Sequence, residues 1–251
     1  MSWRHPGRSG ALLYAVLAAI VGGVVASFAR VSVERQRGRR RAAQRLPAGP
    51  LIVISNHTSY ADGVLLILAC RRLGRELRLL ATGGVFRAPI LGRVVRRLGF
   101  IRVDRGGADA ARALDIAAEA LAAGEAVGVF PEGRLTRDPA MWPERAKTGA
   151  VRLALRTGAP VVPLAMVGAD EVVGRRRVLW SVVRNLVRRP RVEVEVGDPI
   201  DVRALVADPE QVTNDEVRAA ADIVMGELIR LVALVRDEEP ADAIGVERVV
   251  T

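Results

Sequence analysis

Cysteine, histidine, lysine and aromatic side chains are all scarce in this chain of 251 residues. One cysteine, Cys70, excludes an internal disulfide framework and suits a reducing compartment. It follows the apolar run Val64–Ala69, which predicts a buried thiol and not a nucleophile. Two histidines, one of them (His5) close to the N-terminus, leave too few ligands for a structural zinc site, and no metal is expected. Aromatics make up 4% of the chain, so there is little to stack on bases. Zinc-finger spacing, RNA-binding aromatic signatures and long basic heptad helices are also missing, so no nucleic-acid partner is expected. No internal repeat is visible. Lysine occurs once, as Lys147, among 38 basic side chains.

Positive charge and apolar residues are what the chain has in quantity. Its net charge is +10 and half of its residues are hydrophobic. Beyond residue 45 roughly 200 residues remain, enough for one domain with a sizeable core. The charge fits an anionic membrane surface or an anionic substrate. Ala11–Ala29 runs 19 residues without a charge. As a helix it would be ~28 Å long, close to the ~30 Å of a hydrocarbon core. Ser27-Phe28-Ala29 resembles a signal-peptidase site, but the arginines are heavier after the run (Arg30, Arg35, Arg37, Arg39, Arg40, Arg41, Arg45) than before it (Arg4, Arg8). That order favours a membrane anchor with the globular part on the cytoplasmic side of the cell membrane. Gly22-Gly23 leaves open a helix that half-inserts.

After residue 50 strand-like and helix-like segments alternate, which predicts an α/β fold: a single domain with a mostly parallel or mixed sheet flanked by helices. Strands are expected at Leu51–Ser55, Leu77–Ala81, Phe100–Val103, Ala126–Phe130 and Pro160–Val167, with an alternating, edge-like strand at Val192–Val196. Helices are expected at Ser59–Leu73, Phe86–Leu98, Ala108–Ala123 and Lys147–Thr157, and along the stripe Val217 to Val235. The layout is an anchor and basic linker over 1–45, a domain over 46–237 and a frayed tail over 238–251.

Four short stretches carry polar residues at strand ends, where parallel sheets collect ligands. Asn56-His57-Thr58-Ser59-Tyr60-Ala61-Asp62 follows the first strand. Ser59 and Asp62 have capping-box spacing, and the same turn would set Asp62 beside the imidazole of His57, fixing its tautomer and supporting its charged form. Gly99 to Gly107 places Arg105 and two glycines before a helix, a combination suited to an anion. Phe130-Pro131-Glu132-Gly133-Arg134 follows a strand, where a plain Pro-Gly turn would also account for it. Ala159-Pro160-Val161-Val162-Pro163-Leu164 is a strand with proline near both ends.

His57 to Asp62 resembles the NHxSxxD block of the lysophosphatidate (1-acylglycerol-3-phosphate) acyltransferases, within the glycerolipid acyltransferase superfamily. Gly99–Arg105, Phe130–Gly133 and Val161–Pro163 resemble that family's second, third and fourth blocks, in the same order. Each block is weak alone; four in order are specific. The resemblance implies acyl transfer from acyl-CoA or acyl-carrier protein, as co-substrate and without a cofactor, to the hydroxyl of a lysophospholipid. His57 would be the base and Asp62 its orienting partner, with Arg105, Glu132 and Gly133 at the acceptor phosphate. One departure concerns the third block, where the family commonly has Thr after Gly and then Arg. Here Arg134 follows Gly133 directly, so Arg134 or Arg137 would supply that cation. The lone Lys147, downstream of this loop, is a further candidate for the phosphate, since a compact ammonium differs from the surrounding guanidinium groups. Glycerol 3-phosphate or another lyso-lipid is the alternative acceptor, and a non-catalytic, Arg-rich membrane-binding module is the alternative of a different class.

The stretch 174–190 has Leu179, Val182, Val183, Leu186 and Val187 at helical spacing beside Arg184, Arg188 and Arg189. Two arrangements fit: an interfacial helix on anionic lipid, or a helix packed on the sheet with a solvated arginine face.

Overall fold

The computed structural model describes residues 3–35, 45–104, 107–174 and 178–239. In chain order the elements are α1 (Gly7–Phe28), β1 (Arg30–Arg35), β2 (Leu51–Ser55), α2 (Asp62–Arg72), β3 (Leu77–Thr82), α3 (Gly83–Arg87), α4 (Leu91–Arg97), β4 (Ile101–Val103), α5 (Gly107–Ala122) and β5 (Ala126–Val129). They continue with α6 (Gly149–Thr157), β6 (Val161–Val167), α7 (Ala169–Val172), α8 (Val178–Arg188), β7 (Arg191–Val196) and α9 (Asn214–Arg236).

Seven strands form one sheet in the order β1-β7-β6-β2-β5-β3-β4. The strands from β6 to β4 run parallel, β7 is antiparallel to β6, and β1 is parallel to β7. The sheet is therefore mixed, and the chain is a single α/β domain. Alternation along β2 divides the core in two. Ile52 and Ile54 pack with α5, α6 and α9 on one face. Leu51 and Val53 pack with α1, α2 and α7 on the other.

Three expectations need correction. The segment expected to be linker contains a strand: Val31 and Val33 pack on the second core cluster while Arg30, Ser32 and Glu34 are exposed. The period of two was present but masked by the surrounding arginines, and the domain begins before residue 46. Val192–Val196 is not an edge, because β1 covers it. Phe86–Leu98 is two helices, not one. Pro89 excludes the helical conformation at Ala88, which is extended at φ −61°, ψ 132°. At the C-terminal end, α9 begins with a complete capping box between Thr213 and Glu216.

Candidate active site

His57 and Asp62 leave the C-terminal end of β2 together. Asn56 fixes the start of this loop: its buried side chain donates to Met166 O and accepts from Met166 N–H, both at 2.8 Å, which extends the β2–β6 pairing by one residue. His57 Nδ1 lies 2.8 Å from Asp62 Oδ2. The same oxygen accepts from the main-chain N–H groups of Thr58 (2.6 Å) and Ser59 (2.7 Å). Asp62 is fully buried. Burial pushes its carboxyl above the usual carboxylate range, and the hydrogen bonds from His57, Ser59 and Thr58 oppose that push. With an acceptor at Nδ1, the imidazole carries its proton there and Nε2 is its basic nitrogen. The ring stacks on Phe130, centroids 4.1 Å apart and planes 16° from parallel.

The capping box expected here is only half made. Asp62 accepts from Ser59 N–H, but α2 begins at Asp62 itself, after Ala61, without a side-chain cap. Ser59 Oγ instead accepts from Ala61 N–H and donates to Val173 O at 2.8 Å. The carboxylate of Asp62 is spent on the histidine loop rather than on the helix end.

The loop after β5 grips His57 from the other side. Glu132 Oε1 accepts from His57 N–H (3.0 Å) and Oε2 from Glu144 N–H (3.1 Å), while His57 O accepts from Thr136 N–H (2.7 Å). Glu132 is 4% exposed, and burial pushes its carboxyl up to about 7, against the two N–H donors. Both of its oxygens face main-chain donors, and it does not line the cavity described below. Arg134 closes a two-pronged pair on Glu144, at 2.6 and 3.1 Å. Arg137 is exposed, and its main-chain N–H donates to the same carboxylate.

Lys147 and Gly133 meet. Lys147 N–H donates to Pro131 O, and its side chain lies across Gly133, whose φ is +68°. A Cβ at Gly133 would stand 2.9 Å from Lys147 Nζ. Both residues line a cavity of about 230 Å³ together with the ring of His57. Its walls are mostly apolar and include Leu80, Val103, Ala113, Leu114, Val129 and Ala150. Asp104, paired with Arg102, lies on the same wall. Arg105 and Gly106 lie outside the described residues.

Sequence reasoning missed Glu144, which has no local pattern and acquires its role only through contacts with Arg134, Thr136 and Arg137. It also missed the role of Phe130 as the platform for the imidazole; an aromatic beside a loop of this kind was the available signal.

Residues 33–167, more than half of the chain, match the family model described as Acyltransferase. A chloroplast 1-acyl-sn-glycerol-3-phosphate acyltransferase of Brassica napus is 29% identical over 153 residues, 59% of this chain and 43% of that protein. A 1-acyl-sn-glycerol-3-phosphate acyltransferase of Borreliella burgdorferi is 29% identical over 119 residues, 46% of this chain and 45% of that protein. A protein of Mycobacterium tuberculosis, itself uncharacterized, is 34% identical over 134 residues, 49% of this chain and 35% of that protein. The chain thus spans less than half the length of these relatives. The crystal structure of the 1-acyl-sn-glycerophosphate acyltransferase PlsC from Thermotoga maritima matches the fold with a TM-score of 0.66 at 21% identity, covering 94% of this chain and 85% of that one. The family match runs from β1 to the end of β6 and takes in both loops that hold His57: the chain belongs to the acyltransferase family.

Proposed function

We propose that this chain transfers a fatty acyl group from acyl-CoA or acyl-carrier protein to the free hydroxyl of 1-acylglycerol 3-phosphate at a membrane, giving phosphatidate and the free thiol. One observation carries the reading: an imidazole held by a buried carboxylate at Nδ1 lines a largely apolar cavity. His57 Nε2 takes the proton of the acceptor hydroxyl as its oxygen attacks the thioester carbonyl. Asp62 supports the imidazolium that forms. Collapse of the tetrahedral intermediate breaks the C–S bond, and His57 returns the proton to the departing thiolate. No covalent enzyme intermediate is needed, which suits a chain whose only thiol is buried.

The apolar walls suit an acyl chain. Lys147, beside Gly133 at the cavity, and Arg105 are assigned to the acceptor phosphate. Arg134, closed on Glu144, is assigned a smaller share. Glu132 acts from beneath, as a positioning residue on the main chain of His57. The arginines following α1 favour a cytoplasmic placement of the domain.

The test is a panel of acceptors against one acyl-CoA with purified protein. Turnover of 1-acylglycerol 3-phosphate should exceed that of every other lyso-lipid and of glycerol 3-phosphate. Faster acylation of glycerol 3-phosphate would overturn the acceptor, and no transfer to any of them would overturn the enzyme reading.

A further inference from the structure

One stretch of the chain carries charge of a single sign. Between Glu76 and Asp104 there is no carboxylate, while Arg78, Arg87, Arg93, Arg96, Arg97 and Arg102 fall inside it. Arg78 is buried against Glu76 and Glu125, and Arg102 is closed on Asp104. The other four are exposed on the hairpin of α3 and α4, and among the described residues none of them pairs with a carboxylate. Arg93, Arg96 and Arg97 lie three and four residues apart on α4, a spacing at which like charges on a helix repel. The hairpin carries that cost without a partner of its own.

Its cations are held in place. Arg93 Nη1 donates to Pro89 O, Arg96 Nη1 to Phe86 O and Arg97 Nη2 to Ser9 Oγ, each at 2.7 Å. The two helices cross so closely that a Cβ at Gly92 would collide with Phe86 O. Between them Ile90 and Leu91 stand 78 and 50% exposed. Ordered guanidinium groups around a small apolar centre have the make-up of a protein interface, and their order lowers the cost of binding. Lipid binding grows instead with apolar area, of which two side chains supply little.

The hairpin also adjoins the cavity. Helix α3 begins directly after Thr82, which pairs with Val103 across β3 and β4. Thr82, Val103 and Asp104 line the cavity together with His57. A partner seated on α3 and α4 is therefore separated from the imidazole only by the strand ends that form the cavity wall. The acyl donor must bring its thioester carbonyl to that place, and one of the two donors in the proposed reaction is itself a protein.

We propose that the α3–α4 hairpin is the docking surface for an acyl-carrier protein, whose acidic surface meets Arg87, Arg93, Arg96 and Arg97 while its prosthetic arm carries the acyl thioester past Thr82 to His57. The proposal rests on the acyl-transfer reading, and it is measured first by binding, without turnover.

The first measurement is the fluorescence anisotropy of labelled acyl-carrier protein titrated with the full chain. Arg87→Glu with Arg93→Glu should weaken binding more than about tenfold. Arg71→Glu with Arg230→Glu makes the same change of charge at exposed positions away from the hairpin and should leave it unchanged. Ile90→Ser, at a side chain too exposed to hold the fold, should weaken it several-fold. Wild-type affinity in the hairpin pair would overturn the proposal, and so would an equal loss in the control pair, since net charge alone would then explain both. The second measurement is steady-state turnover with palmitoyl thioesters of acyl-carrier protein and of CoA. The hairpin pair should raise KM for the carrier protein more than about tenfold and for CoA less than about twofold. An equal rise for both donors would overturn the docking surface. So would intact carrier-protein kinetics with lost sedimentation on anionic vesicles, which would give the patch to lipid. Carrier-protein binding that depends on the hairpin, without turnover of either donor, would sink the acyl-transfer reading and leave the docking surface standing.

Discussion

Asp62 and Glu132 are both buried and both within hydrogen-bonding reach of His57, yet they hold different parts of it. Asp62 accepts from the ring; Glu132 accepts from the main chain. A carboxylate on the ring is coupled to the charge that appears during proton transfer, so its loss is felt in the transition state. A carboxylate on the peptide N–H is coupled only to where the ring sits. Two residues of the same chemistry, both bonded to His57, therefore have separable signatures in kinetics and in stability.

The largest effect should come from the ring itself. His57→Ala should reduce turnover by about 10²–10⁴, with little change in the midpoint of urea unfolding. Asp62→Asn should approach it, because the amide presents an N–H₂ to Nδ1 and selects the wrong tautomer. A steady-state assay giving Asp62→Asn the activity of wild type would erase the contrast from one side.

Glu132→Gln probes the other side. Gln keeps one acceptor for two main-chain N–H groups, so stability should fall by roughly 1–3 kcal/mol, while turnover falls less than in Asp62→Asn. The pH dependence has a definite sign. Burial raises the Glu132 carboxyl from its ordinary 4.5 to about 7. The folded state thus binds more protons than the unfolded state between those values, and stability from this group falls as pH rises through that window. Urea melts at pH 5 and pH 7.5 should show a smaller difference in the variant than in wild type. An unchanged difference would mean that another group, such as Asp62, carries the dependence.

The smallest contrast lies between two cations of the same loop. Lys147→Ala should raise the acceptor KM several-fold with kcat little changed. Arg134→Ala should raise it less, because its fork is already taken by Glu144. A larger KM effect for Arg134 would reverse their assignments.

How much of this was legible depended on distance along the chain. The pairing of His57 with Asp62 spans five residues and follows from one turn. The strands β2, β5 and β6 announce themselves as short apolar runs. The bond between Glu132 and His57 spans 75 residues, and no local pattern implies it; Glu132 was expected at the acceptor phosphate and is instead turned toward the main chain. The cavity is of the same kind, built from Leu80, Val103, Leu114 and Ala150 on separate elements. The apolar stripe of α8 was readable, but its direction was not. Periodicity reports that a helix has two faces, whereas the hydrogen bonds of Asn185 decide which is inside. For β1, arginine content obscured an alternation that was there to be seen.

The register of β1 has a consequence for the order in which the molecule is assembled. Arg30 pairs with Arg191, so β1 finds its neighbour only after about 160 further residues have been made. Its slot beside β7 is among the longest-range pairings in the fold, and closing such loops is slow. Until then α1 has α2 and Leu77 to pack against but not α8, which precedes β7 by only a few residues. Synthesis itself therefore gives that helix an interval in which one side of its seat is missing, before the sheet edge that will tether it has been completed.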